Sequence, residues 1–169
     1  MQKNERLIER FIQEGQAFVP QNVHGKGDAV LLFFRNGETE TVDVRPELFL
    51  KRLVDFFGTS VAVNRSRYGG LIGKRNLVPV ALSYGLVLVP YNTREPVGKQ
   101  SRTGWVFSRE IGFMKQTAQN KTYIHLADHS RTLPVLHSQK FCLDQLKNAK
   151  CIELYYREIH EPHRKAIAY

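Results

Sequence analysis

The chain has 169 residues, 42% hydrophobic and 24% charged, which is the balance of an ordinary globular protein and enough for one domain over residues 1–169. Lys and Arg total 25 against 16 Asp and Glu, a net charge of +9, so the surface carries a positive field that attracts polyanions, nucleic acid first among them. Charges at Glu5, Arg6, Glu9 and Arg10 exclude the apolar core of a secretory signal, and no apolar run approaches the roughly 20 residues of a membrane span, so no membrane partner is expected and the cytoplasm is the expected compartment.

In chain order, residues 4–13 place Leu7, Ile8, Phe11 and Ile12 at helical spacing, and the pattern predicts a short amphipathic helix ended by Gly15. A polar loop over 21–28 leads to "AVLLFFRNGETETVDV", two strands joined at Asn36-Gly37, a pair that tolerates the positive φ of a tight turn. Pro46 opens a second helix whose stripe is Phe49, Leu50, Leu53, Val54 and Phe57, with Phe56 and Phe57 assigned to the core. Residues 58–77 show no sustained period and are expected as a long loop or a pair of short irregular strands.

Two extended segments follow around Ser83-Tyr84-Gly85, with prolines at 79 and 90 that suit an edge or a strand end. A second polar loop, "NTREPVGKQSRTG", precedes strands expected over 105–113 and 122–126 and a hairpin through Asp128 to 133–136. Ser138 caps a closing helix whose face carries Cys142, Leu146, Ala149 and Tyr156, although residues 151–159 alternate well enough to be a strand instead. Cys142 and Cys151, about 180° apart on such a helix, should be free thiols. The expected class is α+β: a mixed, largely antiparallel β-sheet with an N-terminal helix, a helix after the first hairpin and a C-terminal helix.

The stretch "YGGLIGKR" fails as a phosphate-binding P-loop, because Tyr68 stands where the first glycine belongs and Arg75 takes the place of the magnesium-holding hydroxyl. Gly69, Gly70 and Gly73 do not fit the dinucleotide spacing either. Of the candidate set His125, Asp128, His129 and His137, His125 and His129 lie in a strand and its turn roughly 13 Å apart and no third ligand is evident, so no metal, cofactor or catalytic residue is expected and the chain is not read as an enzyme. What remains is charge. From 56 to 109 the basic residues are Arg65, Arg67, Lys74, Arg75, Arg94, Lys99, Arg102 and Arg109, and Glu95 is the only carboxylate. Guanidinium groups set among glycines can donate to phosphate oxygens or enter a narrow minor groove, which makes Arg65, Arg67, Lys74 and Arg75 the main expected DNA contacts and Arg94, Lys99 and Arg102 a second set. Tyr68, Tyr91 and Trp105 are further candidates for base or sugar contact, Trp105 being better placed as core. The alternatives are an RNA-binding protein using the same loops, or an adaptor whose positive patch meets an acidic protein partner.

"FFGTS" followed by Arg65, the segments "NLVPV" and "LVPYN", and the tryptophan of "GW" together resemble the ComK family of competence transcription factors. Asn64 replaces the glycine of that family's Gly-Arg pair, Tyr91-Asn92 interrupts its Phe-Pro-Thr pattern and Thr103-Gly104 stands where a cysteine often precedes the tryptophan, which marks a divergent member. The resemblance implies a cytoplasmic activator that grips A/T-rich double-stranded DNA through the minor groove as a homodimer or higher homo-oligomer, assists RNA polymerase, and is handed to a protease by an adaptor.

Overall fold

The computed structural model describes residues 2–95 and 97–161. Helix α1 (Gln2–Glu14) runs straight into β1 (Gly15–Val23), followed by β2 (Gly27–Phe34), β3 (Thr39–Val42), α2 (Pro46–Phe56), α3 (Val61–Ile72), β4 (Val80–Ser83), β5 (Leu86–Asn92), β6 (Thr103–Phe107), β7 (Ile111–Ala118), β8 (Lys121–Leu126), β9 (Thr132–Val135) and α4 (Gln139–His160). The α+β class holds. A six-stranded antiparallel sheet has the order β3-β2-β1-β6-β5-β4, and a three-stranded antiparallel sheet the order β7-β8-β9.

The larger sheet is apolar on both faces. Along β1, β2, β5 and β6 successive side chains go alternately to two cores: Phe18, Leu32, Phe34, Leu88 and Phe107 to one, and Ala17, Val19, Phe33, Val89 and Val106 to the other. Helices α1 and α2 cover the first face with Ile8, Phe11, Phe49 and Leu53, and the rings of Phe11, Phe18 and Phe49 meet edge to face at 4.9–5.7 Å. The smaller sheet and α4 cover the second with Met114, Ile124, Leu126, Cys142, Ala149 and Ile152. Strands buried on both sides read as unbroken apolar runs, which is what "AVLLFF" and "LVLVPY" are.

Most of the expected elements are present. Asn36 and Gly37 both take positive φ, 67° and 79°, between β2 and β3. Pro46 occupies the first turn of α2, and the Ser138 Oγ accepts from the Phe141 N–H at the head of α4. Helix α4 continues to His160, so residues 151–159 are helical and not a strand, and both cysteines are free thiols, Cys142 buried and Cys151 exposed. Pro90 lies beyond the last β4–β5 pair, Val80↔Leu88, where no ladder bond is asked of it.

Four expectations are corrected. The segment 58–77, expected as a loop or short irregular strands, contains α3, which has no apolar stripe and is held from outside; its buried residues are only Asn64, Tyr68 and Gly69. Gly15 ends α1 as expected, but the expected loop over 21–28 is shorter: residues 21–23 belong to β1, which pairs with both β2 and β6, and β2 begins at Gly27. The strand expected over 105–113 breaks at a turn of 3-10 helix, Ser108–Glu110, where the chain leaves one sheet for the other. Phe56 is also not core: it is 50% exposed, with its ring against that of Phe57.

Asn64 ties α3 to the edge strand β4. Its Oδ1 accepts from the Ala81 N–H at 2.8 Å, and its Nδ2 donates to Ser60 O at 2.9 Å and Thr59 Oγ1 at 3.2 Å. The side chain is 2% exposed, so every polar atom it carries is satisfied within the protein. Truncation in Asn64→Ala leaves a buried N–H without a partner and should lower stability by about 1–3 kcal/mol in urea unfolding; a loss below about 0.5 kcal/mol would show that α3 docks without this bond.

Candidate nucleic-acid interface

The "FFGTS" block is the joint between two helices. Phe57 and Gly58 close α2 through bonds to Val54 O and Asp55 O, while the Ser60 Oγ caps α3 by accepting from the Val63 N–H at 3.0 Å. At the other end Gly73 adopts the left-handed conformation, φ 69°, and the chain folds back so that the Lys74 N–H donates to Gly69 O at 2.9 Å. A Cβ on Gly69 would stand 2.7 Å from the Lys74 carbonyl oxygen. Two of the three glycines in this stretch therefore serve the helix terminus rather than an approaching phosphate.

Edge docking against β4 turns the first half of α3 toward the open end of β5 and β6. Arg65 is exposed and rims a cleft of about 130 Å³ formed with Leu77, Pro90, Thr103 and Trp105. A wider groove beside it reaches Ser101 and includes Glu47 and Asp55, the latter already paired with Lys51 at 2.7 Å. Arg102, between Ser101 and Thr103, is exposed, and by strand alternation its side chain leaves the face opposite Thr103. The cleft is below the roughly 300 Å³ at which small-molecule sites begin, so its rim and not its interior is the surface on offer.

Lys74 and Arg102 both bear on His137. Burial, then the two cations, push this imidazole down to a pKa of about 4, and its Nε2 accepts from the Asn92 N–H at 2.9 Å with the ring stacked on Phe141 at 4.1 Å. The half-buried Lys74 is itself fastened to α4: its ammonium donates to Gln145 Oε1 at 2.6 Å and lies 4.6 Å from the Phe141 ring centre. Burial lowers its pKa and Asp144 opposes that shift. Gln145, fully buried, donates in turn to Leu77 O and Pro90 O, at 3.0 and 2.9 Å.

Of the expected contacts, then, Lys74 and Arg102 come together at His137, with Arg75 exposed one residue after Lys74 and Lys99 exposed on the loop that carries Arg102, while Arg65 stands on the rim of the cleft formed with Thr103 and Trp105. Arg65, Arg75, Lys99 and Arg102 have no ion-pair partner among the described residues. Two do not join them. Arg67 is exposed but about 200° around α3 from Arg65, on the side of Tyr68 and Tyr156. Arg94 is neutralised: it pairs with Asp28 at 2.8 Å, the side chains 18% and 12% exposed, and its Nε donates to Ser101 O at 2.8 Å, which pins the neck of the β5–β6 loop.

The candidate tyrosines are core. Tyr68 is 1% exposed, and Tyr91, fully buried, donates its hydroxyl to Cys142 O at 3.1 Å, burial pushing the phenol well above its ordinary pKa. Trp105 is buried as expected. No cluster of His, Cys, Asp and Glu that could hold a metal occurs among the described residues, and no helix among them is long and apolar enough to cross a membrane. Gln145 escaped the sequence reading, and His137 enters it only as a metal or acid-base candidate; the one available signal was a glutamine on the buried stripe Cys142, Gln145, Ala149, Ile152 of α4. No family model, curated protein or solved structure matches the chain.

The histidine makes the site acid-sensitive in a definite direction. Between the ordinary pKa near 6.5 and the folded value of about 4, the unfolded chain binds a proton that the folded form refuses, so stability is lost as pH falls through that window. His137→Gln keeps an acceptor for Asn92 but cannot titrate. Its melting temperature should change less between pH 7 and pH 5 than that of the parent protein, and equal sensitivity would locate the effect elsewhere.

Proposed function

We propose that the chain is a DNA-binding transcriptional regulator that grips A/T-rich duplex with the ridge formed by α3 and the β5–β6 loop. The observation that carries the reading is the meeting of Lys74 and Arg102 at His137, with Arg75 and Lys99 near them in sequence and Arg65 exposed on the cleft rim beside Thr103, four of these five lacking an ion-pair partner among the described residues. The minor groove is too narrow for a helix but admits a loop, and in A/T tracts its potential is most negative. Arg102 and Lys99 on the loop therefore enter the groove, while Arg65 and Arg75, on α3 and just after it, meet the flanking phosphates. The likeness of "FFGTS", "NLVPV" and "GW" to the ComK family supports the same kind of ligand and adds the regulatory role, oligomeric binding and action with RNA polymerase.

Each cation that neutralises a phosphate releases counterions, so the slope of log affinity against log salt counts contacts. In gel-shift titrations on A/T-rich and G/C-rich duplexes at two salt concentrations, A/T-rich DNA should bind more tightly. Arg65→Ala and Arg102→Ala should each lower affinity and flatten the slope by about 0.9. Arg94→Ala should leave the slope unchanged and lower the melting temperature, because its charge is already spent on Asp28. Duplex binding untouched by both Arg65→Ala and Arg102→Ala would overturn the reading, and a preference for RNA that depends on those two residues would reassign the ridge to RNA.

A further inference from the structure

The three-stranded sheet has one face in the core and one in solvent, and the solvent face is not polar. Met114, Ile124, Leu126, Leu133 and Val135 point inward. By strand alternation and the pairs Phe113↔His125, Lys115↔Tyr123 and Tyr123↔Pro134, the outer face carries Phe113, Lys115, Lys121, Tyr123 and His125. Phe113 is 51% and Tyr123 41% exposed, and the Phe113 ring lies flat on His125, centroids 3.9 Å apart and planes 10° from parallel. Strands β7, β8 and β9 contain no Asp or Glu. Large aromatic rings held open on a sheet beside lysines form a surface on which bases stack and phosphates find a counter-charge.

We propose that this face binds single-stranded DNA, unpaired bases stacking on Tyr123 and Phe113 while Lys115 and Lys121 meet the phosphates. Charge selects the occupant. A second copy docked face to face would set lysines against lysines with no carboxylate on the three strands to relieve them, whereas a polyanion is complementary. Stacking itself is blind to the sugar. The assignment to DNA comes from Lys121, which stands in the outer row of β8 and also lines, with Glu95, the groove holding His137, the imidazole on which Lys74 and Arg102 bear, so the aromatic face adjoins those two cations. That choice of sugar rests on the duplex-binding reading; the stacking surface does not, and it uses none of the ridge residues.

Fluorescence anisotropy with labelled oligo-dT, oligo-U and an A/T-rich duplex tests the proposal on the full chain. The double variant Phe113→Ala/Tyr123→Ala should weaken oligo-dT binding about tenfold or more and leave duplex affinity within about twofold, while Tyr123→Phe, which keeps a ring, should bind like the parent. Both side chains are exposed, and thermal melts identify any variant that fails to fold. The proposal is overturned if the parent does not bind oligo-dT, if the folded double variant binds it unchanged, or if light scattering shows that the substitutions change only the oligomeric state. Tighter binding of oligo-U than of oligo-dT overturns the assignment to DNA. Loss of duplex binding in Arg65→Ala/Arg102→Ala with oligo-dT binding retained separates the two surfaces.

Discussion

A six-stranded sheet with no polar face must be covered twice, and the rest of the structure answers to that constraint. Burying one large apolar side chain is worth about 1.5–3 kcal/mol, whereas an exposed ion pair contributes about 0–1 kcal/mol. Placement of the layers is therefore decided by Phe11, Phe18, Phe49 and Phe107 on one side and by the small sheet with α4 on the other. Helix α3, with only Asn64, Tyr68 and Gly69 buried, has no stripe to offer either face. It covers the exposed edge of β4 instead, bound through Asn64, and an edge position leaves its arginines in water.

The surplus of positive charge becomes a feature only after the internal uses are subtracted. Arg94 is spent on Asp28 and on the loop neck, and Lys74 is partly spent on Gln145 and Phe141. Elsewhere Arg10 meets Glu14, Glu38 and Glu40, Arg35 meets Glu110, and Arg157 meets Glu153, so these five carboxylates are engaged away from α3 and the β5–β6 loop. Few carboxylates remain for α3 and the β5–β6 loop. Net charge describes the whole chain; this distribution of carboxylates is what leaves α3 and the β5–β6 loop with uncompensated cations.

Elements with a local signature were legible in the sequence: α1 and α2 from their apolar period, the Asn36-Gly37 hairpin from its turn residues, α4 from the Ser138 cap. Where local and tertiary preferences part, the reading failed. Helix α3 contains Gly69-Gly70 and a weak period and survives through Ser60, Asn64 and contact with α4, none of which a window of residues reveals. Strand β1 follows α1 with no intervening turn, and Pro20 argues against a central strand, yet β6 pairs β1 only at Ala17 and Phe18, short of the proline. For the candidate site, the charge asymmetry between 56 and 109 was visible, but Arg94–Asp28 and Lys74–Gln145 span 66 and 71 residues, and only folding shows which cations are taken.

What holds the ridge in place also bears on how well it can bind. Gln145 bonds the end of the α3–β4 connection at Leu77, the backbone of β5 at Pro90 and the ammonium of Lys74 from a single side chain, and His137 accepts from Asn92 where β5 enters the loop. A cation at either position would repel Lys74 and Arg102 and a carboxylate would neutralise them; an amide and a neutral imidazole supply the same geometry without either. The backbone that presents Arg65 and Arg102 is thus fixed before any ligand arrives, and association has to order little beyond the side chains themselves, which is the condition under which a modest number of phosphate contacts yields appreciable affinity.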